Sequence, residues 1–196
     1  MTIFRAALVW IFAFTLTAHA GELELNSLGP DVGEPIPHDL QTTDTGANFD
    51  ALVGEKGLAL FFVRSLDWCP FCKNQAIDVN DRLADFEDRG LNVAFVSYDT
   101  PSKQIAFAEK TNFEPALVSD EEINVINAFG LRNETHEEGS RFHGIPHPAV
   151  FIITPDKKIA AKLYEEDYAS NEKSYRNRPA VDVILEKVDT VLTNQN

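Results

Sequence analysis

The chain has 196 residues, and its 31 acidic side chains outnumber 17 basic ones, giving a formal net charge of −14. That balance argues against nucleic acid or an anionic membrane surface as a partner, and the length suits one domain with a core of its own. Only two cysteines are present, too few for a small scaffold stapled by several disulfides or for a four-cysteine zinc site.

Residues 1–20 read as a secretory leader. Arg5 supplies the positive start, residues 6–16 an apolar core, and Ala18-His19-Ala20 a small-residue cleavage site before Gly21. The apolar run is shorter than the roughly 18 residues of a spanning helix. The pattern predicts a periplasmic or secreted protein with no stable membrane insertion, and a single mature domain over residues 21–196. Residues 21–48 are rich in Gly, Pro, Asp and Thr and read as an irregular entry segment or small hairpin. A short helix follows at 48–53, with Asn48 as its cap and Gly54 as its stop. Residues 58–64 form an apolar run of buried-strand length. Residues 70–89 read as a helix, because Ile77, Val79, Leu83 and Phe86 recur at helical spacings and Gly90 ends it. A second strand is expected at 91–97, a helix at 102–111 after Pro101, and a short strand at 116–119. Asp120 then caps a helix that runs to Phe129 and stops at Gly130. Strands at 149–153 and 158–163 pair across the Pro155-Asp156 turn. An amphipathic helix at 179–192 closes the chain, with Val181, Ile184, Leu185 and Val188 on one face. The alternation describes an α/β fold, a central mixed β-sheet flanked by helices. Residues 131–148 are the one long irregular stretch, and loops of that length are usually functional or mobile.

Both cysteines fall in Trp68-Cys69-Pro70-Phe71-Cys72, between the first strand and the long helix. A strand that delivers a Cys-x-x-Cys pair to a helix N-terminus is a recipe for a dithiol/disulfide redox centre. The unpaired amides and the dipole of the helix start favour a thiolate at Cys69, which is expected to be exposed. Pro70 suits the first helical position. Cys72, one turn on and inside, is placed to resolve a mixed disulfide. Trp68 and Phe71 would wall the site with apolar surface, and Arg64 and Lys73 are candidate local cations. A c-type haem needs His directly after the second cysteine, where Lys73 stands. His136, His143 and His147 match no compact metal-ligand spacing and read as solvated loop residues. A disulfide across so small a loop would add roughly 2 kcal/mol at most, weak grounds for a purely structural bridge. No metal or cofactor is expected beyond the Cys69–Cys72 pair itself.

The segments Leu58-Ala-Leu-Phe-Phe-Val-Arg64, Asp67-Trp-Cys-Pro-Phe-Cys-Lys73, Val96-Ser-Tyr-Asp99, Leu117-Val-Ser-Asp120, Ala128-Phe-Gly130 and Pro148-Ala-Val-Phe-Ile-Ile153 occur in an order that resembles a known family. The chain is similar to thioredoxin-fold proteins of the redoxin branch, the alkyl hydroperoxide reductase and thiol-specific antioxidant superfamily, over roughly residues 30–190. The resemblance implies a thioredoxin-like fold. It also implies a cis-proline facing the dithiol, which falls on Pro148 with Pro146 as the lesser candidate, and it sets His147 beside the thiols, with His147 and Pro148 available to a bound substrate. Two departures stand out. Peroxide-reducing members have Thr three residues before the attacking Cys and an Arg near the last core strand, and Leu66 and Pro148 occupy those places. Thioredoxins carry a buried Asp six residues before the first Cys, and Val63 occupies that one. The proton of Cys72 must go elsewhere, to water, Asp67 or Glu55.

These departures put first a periplasmic thiol–disulfide oxidoreductase. It would exchange disulfides with protein or small thiols and draw on an unidentified electron donor or acceptor. A peroxiredoxin-like thiol peroxidase that reduces hydroperoxides is the alternative. A binding module with a redox-silent cysteine pair is the third reading.

Overall fold

A computed structural model describes residues 27–194. The leader at residues 1–20 and the first residues of the entry segment lie outside the described residues. The elements run α1 (Phe49–Leu52), β1 (Gly57–Phe62), α2 (Pro70–Asn80), α3 (Leu83–Glu87), β2 (Leu91–Ser97), α4 (Pro101–Thr111), β3 (Ala116–Ser119), α5 (Asn124–Ala128), β4 (Ala149–Ile153), β5 (Ile159–Tyr164) and α6 (Val181–Asn194). The five strands form one mixed sheet in the order β3-β2-β1-β4-β5. β1, β2 and β3 run parallel, and β4 and β5 are each antiparallel to the neighbour that precedes them in that order.

β1 is the central strand and is buried along its whole length. Its alternate side chains serve two different cores, because successive Cβ atoms point to opposite faces of a sheet. Leu58, Leu60 and Phe62 join Phe49, Ile126, Phe129 and Phe151 on one face. Ala59, Phe61 and Val63 join Val79, Phe86, Phe95, Ile184 and Val188 on the other. Cys69 and Cys72 belong to the second core, beneath α2 and α6. The cysteine pair is therefore part of the packed interior.

The predicted 70–89 helix is broken. α2 ends at Asn80 and α3 begins at Leu83. No Gly or Pro marks the break, so periodicity cannot show it. Long-range contacts accompany it. The Asn80 side chain donates to the Asn112 carbonyl at 3.3 Å and accepts from the Glu114 amide at 2.8 Å, while Arg82 turns toward Asp85 and Asp182. Asp120 also acts at longer range than a simple cap. Its carboxylate accepts from the amides of Val125 at 3.1 Å and Ile126 at 2.7 Å, across a turn that precedes α5.

Candidate active site

The segment between β1 and α2 is held by a buried polar network. Asp99, 3% exposed, accepts from the Ser65 hydroxyl at 2.7 Å, the Leu66 amide at 2.6 Å and the Ser97 hydroxyl at 2.8 Å. The Ser65 hydroxyl in turn accepts from the amides of Asp67 and Trp68. Gln104 extends the network, donating to Ser97 Oγ at 3.0 Å and to the Val118 carbonyl at 2.9 Å. A buried carboxylate is tolerable only with its lone pairs filled. Here two donors come from the loop that presents the cysteines and one from Ser97 at the end of β2.

α2 starts at that loop with Cys69 as its N-cap and Pro70 in its first turn. The Cys72 amide donates to Cys69 Sγ at 3.3 Å, which places Cys69 in the positive field of the helix start. The two sulfurs are joined as a disulfide, with Cα atoms 5.3 Å apart.

Cys69 lies on the wall of a cavity of about 690 Å³. Trp68, Pro70, Phe71, His147 and Pro148 line the same cavity, so the structure brings together the expected site residues except Cys72, which is fully buried behind them. The expected exposure of Cys69 is corrected, because it is only 1% exposed. Two distant segments close around it. In the 131–148 loop, Phe142 packs edge-on against Trp68 at 5.1 Å. Trp68 Nε1–H donates to the Tyr98 hydroxyl at 3.0 Å, and that hydroxyl donates to the Arg141 carbonyl at 3.0 Å. From the other side comes the 3-10 turn Ser174–Arg176, whose Tyr175 meets Phe71 edge-on at 6.1 Å.

The cis-proline expectation is overturned, since the described residues contain no cis peptide bond. Residues 146–148 run extended into β4. Pro146 bridges Arg132, and the His147 amide donates to the Leu131 carbonyl at 2.7 Å, so that amide is spent within the fold. The His147 ring packs against Tyr168 at 4.8 Å. Burial, with some help from Arg64 and His136, lowers its pKa to about 4, leaving a neutral imidazole at neutral pH. His136, His143 and His147 are all half-buried, with part of each still open to solvent.

Of the two candidate cations only Arg64 reaches the site. It is 7% exposed, and its guanidinium lies 4.0 Å over Tyr175 and 5.3 Å from Trp68. Burial lowers its pKa. Lys73 turns away to the Asp67 carbonyl. The proposed proton acceptors for Cys72 are also displaced. Asp67 is ion-paired to Lys103 at 3.0 Å, and Glu55 is exposed just before β1, at the end opposite to the one that leads to the dithiol. The group that does reach Cys72 is Arg178, whose Nη2 lies 3.5 Å from Cys72 Sγ. It stands 106 residues away in the chain, and nothing local in the sequence flags it.

The sequence profile of the AhpC/TSA family matches residues 32–162, well over half of the chain and all of the dithiol loop. The chain belongs to the AhpC/TSA family. Peroxiredoxin Bcp of Escherichia coli K12 is 32% identical over 112 residues, covering 57% of this chain and 70% of that one. A Mycobacterium tuberculosis H37Rv protein, named provisionally as a peroxiredoxin, is 34% identical over 95 residues. That match covers 48% of this chain and 60% of the mycobacterial protein, so it spans under two thirds of the relative's length. Among solved structures, a peroxiredoxin-like protein from Aquifex aeolicus superposes with a TM-score of 0.65 at 26% identity, covering 84% of this chain and 90% of its own. The mixed five-stranded sheet is thus the thioredoxin-like fold of the AhpC/TSA family.

Proposed function

We propose that this protein is an oxidoreductase that reduces hydroperoxides, with Cys69 as the attacking thiolate and Cys72 as the resolving thiol. Family membership supports cysteine-based redox chemistry, and the enclosure of Cys69 carries the choice of substrate. The sulfur-bearing residue is 1% exposed yet borders a cavity of about 690 Å³. A small peroxide fits such a site, whereas a disulfide on a protein surface has to displace its walls first. In the cycle, the Cys69 thiolate attacks one peroxide oxygen, the O–O bond breaks, and an alcohol or water leaves as Cys69 becomes a sulfenic acid. Cys72 then attacks that sulfur, the S–O bond breaks, water is released, and the Cys69–Cys72 disulfide forms. A thiol reductant restores the pair.

Thiol–disulfide exchange, the leading expectation from sequence, stays as the second reading because of one observation. Leu66 stands where the resemblance implies a peroxide-polarising Thr, and the neighbouring Ser65 hydroxyl is committed to Asp99. A rapid-mixing experiment separates the two. In the C72S variant, hydrogen peroxide or cumene hydroperoxide should convert Cys69 to a dimedone-trappable sulfenic acid at least about 100-fold faster than it oxidises free cysteine. Oxidation no faster than free cysteine would sink the peroxidase reading. In that case, mixed disulfides trapped on C72S would carry the second. Export to the periplasm or cell exterior is part of the same proposal and rests on the leader pattern of residues 1–20. The mature N-terminus isolated from cell fractions checks it.

A further inference from the structure

We propose that Arg178 is the counterion of the Cys72 thiolate, a catalytic residue that lets Cys72 leave and attack as an anion without a proton acceptor beside it. The inference builds on the proposed function only in taking Cys69 and Cys72 as the redox couple.

The geometry around Arg178 leaves it one partner of consequence. Its Nη1 donates to the carbonyls of Tyr175 and Asn177, both of them in its own turn. Its Nη2 is directed at Cys72 Sγ at 3.5 Å, and its buried Nε has no hydrogen-bond partner. No carboxylate among the described residues lies within ion-pairing distance of it. Glu165 acts on it only from farther away, and the positive charge of Arg64 opposes its own. A guanidinium drawn out of water without a carboxylate is costly unless another anion balances it. In a chain with 31 acidic residues, this arginine is instead aimed at a sulfur. Reduction of the disulfide would create the missing anion at the spot the guanidinium already faces.

The chemistry follows from which sulfur is reachable. Cys69 borders the cavity and Cys72 does not. An incoming thiolate attacks Cys69 Sγ and forms a new S–S bond, the Cys69–Cys72 bond breaks, and its electron pair departs on Cys72 Sγ. The leaving group is a thiolate facing Arg178, so no proton has to be delivered in that step. In the oxidative half of the cycle the Cys72 thiolate attacks the Cys69 sulfenic sulfur, the S–O bond breaks, and the departing oxygen takes up one proton from bulk solvent and leaves as water. The two sulfurs are thus stabilised by different devices: Cys69 by the α2 N-terminus and the Cys72 amide, Cys72 by Arg178.

The test uses C69S, which leaves Cys72 as the sole thiol and retains a good helix cap in serine. Thiolate absorbance at 240 nm against pH should give Cys72 a pKa below the ordinary thiol value of about 8.5, although burial alone would push it above. In C69S/R178M that pKa should rise by about 1 to 3 pH units. In the otherwise wild-type protein, R178M should shift the equilibrium with glutathione about tenfold or more toward the disulfide, because the reduced form loses its counterion. A C69S pKa above about 8.5 would overturn the proposal whether or not the arginine variant folds. So would an unchanged Cys72 pKa in a folded C69S/R178M. A protein that ignores peroxide but keeps the depressed Cys72 pKa would lose the peroxidase reading and keep this one.

Discussion

Arg178 and His147 are polar side chains drawn into the site without a charged partner, and they respond to burial in opposite ways. The guanidinium keeps its charge and faces a sulfur that can become an anion. The imidazole gives its charge up, with a pKa lowered to about 4 by burial first and by Arg64 second. The unfolded chain, with an ordinary histidine near 6.5, therefore binds this proton more readily than the folded one. His147 leaves stability intact above about pH 6.5 and subtracts from it as pH falls through about 4. Melting temperatures between pH 7 and pH 4.5 should drop further for the wild type than for H147Q. Parallel curves would show that His147 is not held neutral by the fold. At this scale the sequence shows the cysteine pair, because Cys69 and Cys72 are adjacent along one helical turn. It does not show Arg178, whose contact depends on a turn brought across the site from 106 residues away.

Among elements, the loop from β1 to α2 depends on Asp99, just past the end of the neighbouring strand β2. Its carboxylate takes three donors from Ser65, Leu66 and Ser97. D99A leaves those buried donors unmatched and should cost on the order of 3 kcal/mol in denaturant unfolding, with faster hydrogen exchange at the Leu66 amide. An unchanged midpoint with an unchanged Leu66 amide would mean the loop is held by packing alone. Asp120 is the milder case. D120A removes the acceptor for Val125 and Ile126 and should cost about 1–2 kcal/mol, read from the same unfolding curves. Strands β1, β2, β3 and β4 were legible because apolar runs between turn residues leave little choice. The α2–α3 break was not, since Asn80 and Arg82 make contacts with residues far along the chain. The pairing of residues 146–147 with residues 131–132 was not either, because it joins segments that no local pattern relates.

Across the whole molecule, the charge of −14 is spread over a surface whose ion pairs are largely exposed, such as Arg82–Asp182 and Lys158–Asp156. Exposed pairs contribute little, while net charge of one sign works against compactness. The melting temperature should rise by a few degrees as ionic strength goes from about 0.01 to 0.3 M, where the screening length falls from about 30 Å to below 10 Å. A falling melting temperature would show that the ion pairs outweigh the repulsion. By itself the sequence determined the α/β class, the order of the strands along the chain and the pairing of Cys69 with Cys72. Periodicity, glycine stops and a Cys-x-x-Cys at a helix start are local signals, readable without a partner. Only the tertiary structure decided that Cys69 is enclosed and that Cys72 faces a cation. Those properties arise where the 131–148 loop and the turn at 174–176 converge on α2, and no local pattern encodes which distant segments will meet there.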